Sequence, residues 1–271
     1  MHDEGVVTVH RSDVEVLNFG VPGYGLDQAY LRYRQDGRQF HPHIVLIGFM
    51  SENIRRAVSV YRPFYQPESH APLAKPRFRV EHDTLILIPN PMASAAGYRE
   101  LLASPESVLP RLGANDYFYQ TGEHAGPWDG VALVRLVKLG SRVLRRVNGP
   151  TRGGVFNPGS EAFRVTIATM TRFVRDVRAD GAVPLILLFP PQEDVRRYVD
   201  HRTLTYAPLR EALNSSHLPY LEVTEAFAGT QAQEVSGLVP GHYSAGANLK
   251  IAAFLARQIP QLRPGRQTMS P

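Results

Sequence analysis

Two uninterrupted apolar runs, Ile44–Met50 and Val183–Phe189, constrain the fold of this chain more than any other feature of its sequence. A strand that is apolar on both faces is typical of a parallel sheet that helices cover on either side. A helical spacing of apolar residues precedes each run and supports this arrangement. The residues with this spacing are Leu26, Ala29, Tyr30 and Tyr33 before the first run, and Phe163, Ile167, Met170, Val174 and Val177 before the second. The sequence therefore predicts an α/β protein with a mostly parallel sheet.

An earlier strand, Val14–Phe19, ends in a glycine-rich turn directly before the first helical pattern. This strand, the helix and the run Ile44–Met50 together predict a βαβ unit, in which Gly37 ends the helix in a left-handed conformation. Two extended runs, Arg77–Glu81 and Thr84–Ile88, are separated by only two residues. This spacing predicts a hairpin inserted into the main fold.

The last third of the chain continues the alternation of helix and strand. A helix near Leu204–Leu213 is predicted to lead to a short strand, Tyr220–Val223. The final helix is predicted from Ala245 to Ile259, with the Ser244 hydroxyl as its cap. The residues predicted to share one apolar face of that helix are Leu249, Ala252, Ala256 and Ile259.

Composition limits the classes of function that the chain can serve. The 30 Lys and Arg residues exceed the 25 Asp and Glu residues and give a net charge of +5, but the arginines are scattered along the chain. A solvated basic surface is therefore expected, and no interleaved aromatic and basic module predicts a nucleic-acid partner. The chain has no cysteine, so disulfides and thiolate zinc sites are excluded.

Cofactor and metal sites are not predicted. The turn Gly20–Gly25 does not have the dinucleotide-binding spacing of glycines, and the sequence contains no phosphate-binding loop. His41 and His43 are two residues apart, a spacing that metal ligands can have, but no carboxylate accompanies them.

We interpret residues 1–263 as a single domain with an insertion at about 61–160, followed by a disordered tail at 264–271. Within the insertion, Val131–Val147 is a basic and apolar helical pattern that is expected to pack on its own domain, with an anionic membrane surface as the alternative. The loop Asn148–Gly159 is a candidate lid. The first residues contain no secretion signal, which predicts a cytoplasmic protein unless the gene product begins further upstream.

Three stretches fall where strands end: Asn18–Gly23, Gly48–Asn53 and Gly241–Gly246. Together they resemble the SGNH (GDSL-like) hydrolase family, which comprises serine esterases and acyl-transfer enzymes. The resemblance extends from Val14 to Ile259. It implies a three-layer α/β/α sandwich with a flavodoxin-like sheet and an ester, either a small molecule or carrier-linked, as the substrate.

The resemblance also implies roles for three residues. Gly23 and Asn53 correspond to the oxyanion donors, the first through its backbone N–H and the second through its side-chain amide. His242 corresponds to the general base. Each residue also has a purely structural interpretation: Gly23 as a turn residue with positive φ, Asn53 as a helix cap, and His242 as a residue that caps or packs at the last helix.

Two features of the family are missing from this sequence. No Gly-Asp-Ser block supplies a nucleophile, and Val239 stands where the family has the aspartate that orients the base. Ser51 is a weak substitute for the nucleophile, and Ser12 is at the wrong end of its strand. Glu222 or Glu225 would have to replace the missing aspartate.

Three hypotheses follow. The first is an ester hydrolase or acyl-transfer protein that either lacks its first block in this sequence or is catalytically degenerate. The second is a pseudoenzyme, a binding module that keeps the cleft without the nucleophile. The third is an adaptor that contacts a membrane surface through residues 131–147.

Overall fold

The computed structural model describes residues 7–11, 14–68, 73–121 and 148–259. The chain forms two compact units, of which the first comprises residues 1–35 and 53–169 and the second comprises residues 36–52 and 170–271. The second unit contains the parallel sheet, whereas the first contains antiparallel hairpins and short helices.

Most of the secondary-structure elements in the described ranges are short. The strands are β1 Val7–Arg11, β2 Val14–Asn18, β3 Ile44–Met50, β4 Arg77–Glu81, β5 Thr84–Ile88, β6 Thr151–Arg152, β7 Val155–Phe156, β8 Val183–Phe189 and β9 Tyr220–Glu222. The helices are α1 Leu26–Arg32, α2 Asn53–Arg56, α3 Ala95–Ala103, α4 Pro105–Gly113, α5 Tyr117–Thr121, α6 Glu161–Ala179, α7 Gln192–Val199, α8 Ala207–Ser215, α9 Val235–Leu238 and α10 Ala245–Gln258.

A three-stranded parallel sheet with the order β3-β8-β9 forms the centre of the second unit, with helices on both sides of it. Strand β3 pairs with β8 along its whole length, from Ile44 opposite Val183 to Met50 opposite Phe189. The interior of β8 is inaccessible to solvent, as its run of apolar residues predicts. The predicted α/β class with a parallel sheet is therefore confirmed.

Strand β2 does not join this sheet, so the predicted βαβ unit is wrong. It pairs antiparallel with β1, from Val7 opposite Asn18 to Arg11 opposite Val14. Two residues separate these strands, and such a short connection closes at a much smaller entropic cost than a crossover through a helix. The side chains of Val14 and Val16 are about half exposed.

The predicted hairpin of β4 and β5 is confirmed in the expected register, with Glu81 opposite Thr84. His82 and Asp83 between them have φ angles of 46° and 60°. Two consecutive positive φ angles are typical of a type I′ turn, whose twist matches that of the paired strands.

The helix predicted before the run Val183–Phe189 is confirmed as α6, and the run itself is confirmed as strand β8. Gly181 follows the helix with a φ of 80°. The end predicted for the first helix is wrong, because Gly37 keeps a right-handed φ of −77°. The chain continues through a 3-10 turn, and His41, with a φ of 47°, is the left-handed residue.

The last helix begins where the sequence predicts it, and Ser244 caps it by accepting a hydrogen bond from Ala247 N–H at 3.3 Å. Its predicted apolar face is wrong, because Leu249 is 72% exposed. The buried residues are Ala247, Ile251 and Phe254. A short helix rich in alanine has no sharply defined apolar stripe, so the bulk of Ile251 and Phe254 decides which face packs.

The region from 61 to 160 is partly described. It contains helices α3, α4 and α5, and Thr151–Arg152 pairs with Val155–Phe156 where a lid loop is predicted. The basic pattern 131–147 and the tail 264–271 lie outside the described residues. Within the described ranges, no helix is both long and apolar enough to cross a membrane.

A buried carboxylate joins the segments of the first unit. Asp116 is fully buried, and its Oδ2 accepts hydrogen bonds from the Ser59 hydroxyl at 2.9 Å, Val60 N–H at 2.6 Å and Tyr61 N–H at 3.1 Å. Its Oδ1 accepts from two N–H groups in the first turn of α5. A buried charge is tolerated only when it is hydrogen-bonded in this way.

We expect Asp116→Ala to lower the free energy of unfolding by roughly 3 kcal/mol or more, because each buried donor left without an acceptor costs about 1–3 kcal/mol. Urea unfolding followed by circular dichroism measures the change. Glu68→Ala, at an exposed position of the same unit, is the control and should stay within about 0.5 kcal/mol of the parent. A similar small change for Asp116→Ala would contradict the role of the carboxylate.

Candidate functional site

Gly23 lies at the third position of a tight turn in the first unit. Tyr24 N–H donates to the Val21 carbonyl at 3.2 Å, Pro22 occupies the second position, and Gly23 has a φ of 82°. Proline followed by a residue with positive φ is typical of a type II turn, which favours glycine at this point. Gly23 therefore has the structural role that a turn requires, and that role leaves its N–H available.

The rest of this glycine-rich loop satisfies its own polar groups. Gly20 N–H donates to the Asn18 side chain at 2.8 Å, and Gly25 N–H donates to the Gln28 side chain at 3.2 Å. No described residue accepts a hydrogen bond from Gly23 N–H. The loop is thus fixed on both sides of a donor that is exposed.

Asn53 is the first residue of α2, also in the first unit. Its carbonyl accepts from Ala57 N–H at 3.2 Å, and its side chain is half-buried. The helix begins at Asn53 itself, and no hydrogen bond within the described part of the chain uses its side-chain amide. The alternative interpretation of Asn53 as a helix cap is therefore not supported by a capping contact.

Arg56 connects these two segments. Its Nη1 donates to the Tyr24 carbonyl at 2.9 Å. The approach is close, because a Cβ on Gly25 would lie 3.3 Å from the Arg56 Cβ. Helix α2 and the Gly23 turn are therefore neighbours, although they are distant in sequence and no sequence pattern pairs them.

His242 lies in the second unit, on the exposed loop between α9 and α10. The adjacent Tyr243 anchors this loop, because its hydroxyl donates to the Pro190 carbonyl at 2.6 Å and its ring packs against Phe189. The loop is thereby fixed at the carboxyl end of β8, where ligands of open parallel sheets commonly bind. The described residues of its own unit make no hydrogen bond to the imidazole.

The position at which the resemblance places an orienting aspartate is part of the apolar core. Val239 is only 2% exposed and belongs to a cluster that includes Leu187 and Phe227. A carboxylate there would lose its hydration without gaining a partner. The side chain that the family uses to orient the base therefore has no place in this packing.

Glu222 and Glu225 have a different environment from the one expected of an orienting carboxylate. Glu222 pairs with Arg210 at 3.5 Å, and both glutamates line an open pocket of about 550 Å³ in the second unit. Burial raises the pKa of the Glu222 carboxyl, an effect that Arg210 opposes and Glu225 reinforces. Tyr198 and Arg210 are among the other residues that line this pocket.

Ser51 is held by a second buried carboxylate. Its hydroxyl donates to Asp194 Oδ2 at 2.9 Å, and both residues are buried. Asp194 also accepts from Thr205 N–H at 2.7 Å and from the Thr205 hydroxyl at 2.6 Å. A nucleophilic serine must give its proton to a base that can later release it. The hydrogen bond from Ser51 to Asp194 instead connects the end of β3 to α7. The geometry favours a structural role for Ser51.

Sequence reasoning missed Asp194 and the helix that contains it. The signal was present, because Pro190 and Pro191 are followed by Glu193 and Asp194, an order typical of a helix start. No group of three or more metal-ligating side chains occurs within the described ranges.

The chain was compared with protein-family models, with curated proteins and with solved structures, and none of them matches it. A functional assignment therefore depends on the resemblance of the three stretches and on the geometry of the residues that they contain.

We expect Ser51→Ala to lower the free energy of unfolding by about 1.5–3 kcal/mol, because a hydrogen bond to a buried charged group is lost. Thermal and urea unfolding measure the change. Ser215→Ala, at the exposed end of α8, is the matched control and should be nearly neutral. If Ser51 were the nucleophile, the substitution would abolish ester turnover, and that result would contradict a structural role.

Proposed function

We propose that this chain is an ester hydrolase or acyl-transfer protein of the SGNH type, and that its first unit binds the carbonyl oxygen of an ester. One observation supports the proposal above the others. Gly23 N–H and the Asn53 amide are both without an acceptor among the described residues, and Arg56 holds their segments together.

Two donors of this kind suit the chemistry of acyl transfer. Negative charge develops on the carbonyl oxygen when a nucleophile adds to an ester, and donors that are fixed in advance stabilise that charge without reorganising. Gly23 is fixed by its turn, and Asn53 is fixed at the start of α2. The donors therefore act most strongly on the transition state.

In this proposal His242 has the role of general base, as the resemblance implies. A neutral imidazole can take a proton from an attacking hydroxyl or water. His242 is exposed to solvent, and Tyr243 fixes the loop on which it lies.

A second candidate function is binding of the ester without turnover. It is favoured by the contact of Ser51 with Asp194 and by the burial of Val239 at the position of the orienting aspartate. A site with oxyanion donors but without a nucleophile would keep ester affinity and lose most of the rate.

We expect Asn53→Ala to lower kcat/KM for p-nitrophenyl acetate and p-nitrophenyl butyrate by about 10²–10³-fold, the effect of removing one oxyanion donor. His242→Ala should lower it by about 10²–10⁴-fold, the usual contribution of a general base. Release of p-nitrophenolate measures both. Asn214→Ala and His43→Ala, at exposed positions, are the matched controls and should leave the rate unchanged.

The two candidate functions give different results in this assay. Turnover that depends on His242 and Asn53 supports the enzyme. Absence of turnover, together with calorimetric binding of ethyl butyrate that is weakened by Asn53→Ala, supports the binding module. Turnover or binding that neither substitution changes would contradict the proposed oxyanion site.

A further inference from the structure

We propose that Arg62 selects esters that carry a negatively charged oxyacid group, such as a carboxylate or a phosphate, close to the ester carbonyl. This inference rests on the proposed function, because it concerns the same turn of the first unit. It adds the charge of the substrate and the residue that recognises it.

The Arg62 guanidinium lies against the Gly23 turn. A Cβ placed on Gly23 would lie only 3.2 Å from Arg62 Nη1. Arg62 therefore brings its positive charge close to Gly23, whose exposed N–H is proposed to bind the carbonyl oxygen. Any group bound at the turn must therefore lie within the field of Arg62.

The side chain of Arg62 is held in one orientation. Its Nε donates to the Gln66 side chain at 3.1 Å, and Gln66 N–H donates back to the Arg62 carbonyl at 3.0 Å. Both residues are half-buried; Arg62 begins the 3-10 turn Arg62–Phe64, and Gln66 lies two residues after that turn ends. A guanidinium fixed in this way loses little conformational freedom when it binds a ligand.

The remaining donors of Arg62 are not used within the described part of the chain. No carboxylate there pairs with it, and neither Nη1 nor Nη2 forms a hydrogen bond. Other cations of the same unit that are shielded from solvent have partners: Lys75 pairs with Asp27, and Arg77 pairs with Glu161. Arg62 differs from them because its charge is available to a ligand.

The geometry of a guanidinium determines the class of ligand. Its parallel N–H groups match the two oxygens of a carboxylate or a phosphate, and such bidentate contacts are stronger than those between neutral groups. With Nε engaged by Gln66, the Nη pair is the part that remains for the anion. An ester with an acidic group a few bonds from its carbonyl could contact Arg62 and Gly23 at the same time.

The test is a calorimetric titration of the full chain with three probes. Monoethyl succinate carries the carboxylate, ethyl levulinate has a neutral methyl ketone in its place, and succinate has the anion without the ester. We expect monoethyl succinate to bind at least tenfold more tightly than ethyl levulinate. We also expect Arg62→Gln to abolish this preference, whereas Arg55→Gln, an exposed arginine of α2, should retain it.

Arg62→Lys is a second variant that keeps the positive charge but loses the paired N–H groups of the guanidinium. We expect its preference for monoethyl succinate over ethyl levulinate to be intermediate. This variant replaces Arg62→Gln in the comparison if the latter does not fold, as judged by circular dichroism. Succinate is expected to bind the parent chain weakly and to lose that binding in Arg62→Gln.

The outcomes separate this inference from the proposed function. Equal binding of both esters, or a preference that survives Arg62→Gln, overturns the role of Arg62 and leaves the oxyanion site intact if Asn53→Ala still weakens both. If neither ester binds while succinate binds in an Arg62-dependent manner, the result supports the anion site and contradicts the ester function. If none of the three probes binds, both are overturned.

Discussion

Each unit of this protein depends on a fully buried carboxylate whose oxygens are satisfied by donors from separate segments. Asp116 accepts from the segment at Ser59 and from the start of α5, and Asp194 accepts from Ser51 and from Thr205. A buried charge without such partners would cost several kcal/mol, so these segments cannot separate without exposing it. The surrounding loops are thereby fixed without disulfides, which this chain cannot form.

The same requirement distinguishes the interior of the first unit from its candidate site. Inside, charged groups are paired: the buried Arg77 contacts Glu161, and the partly exposed Lys75 contacts the buried Asp27. At the turn, the N–H of the exposed Gly23 has no acceptor among the described residues, and the Arg62 guanidinium lies close to Gly23. Polar groups in a protein form hydrogen bonds with other protein groups, with solvent or with a ligand. The difference between the paired groups of the interior and the Gly23 N–H is the physical basis of the proposed ester site.

The elements that could be predicted have strong local signals. Strands β3 and β8 are uninterrupted apolar runs, α6 has a regular apolar stripe, and His82-Asp83 has the length of a two-residue hairpin turn. The wrong predictions involve competition between partners. Strand β2 could pair with β1 or with β3, and it pairs with β1, from which only two residues separate it in the sequence.

The sequence by itself determined that β3 and β8 are buried strands of a parallel sheet, that a helix precedes β8, and which residue types lie at three strand ends, because each follows from local composition and spacing. Only the tertiary structure decided that Arg56 joins α2 to the Gly23 turn, that Asp194 engages Ser51, and that Arg62 faces Gly23. These contacts are made between segments that are distant in sequence. A hydrogen bond between two such segments produces no periodic pattern of residues in the sequence. Its energy depends on burial, which one sequence read alone does not specify.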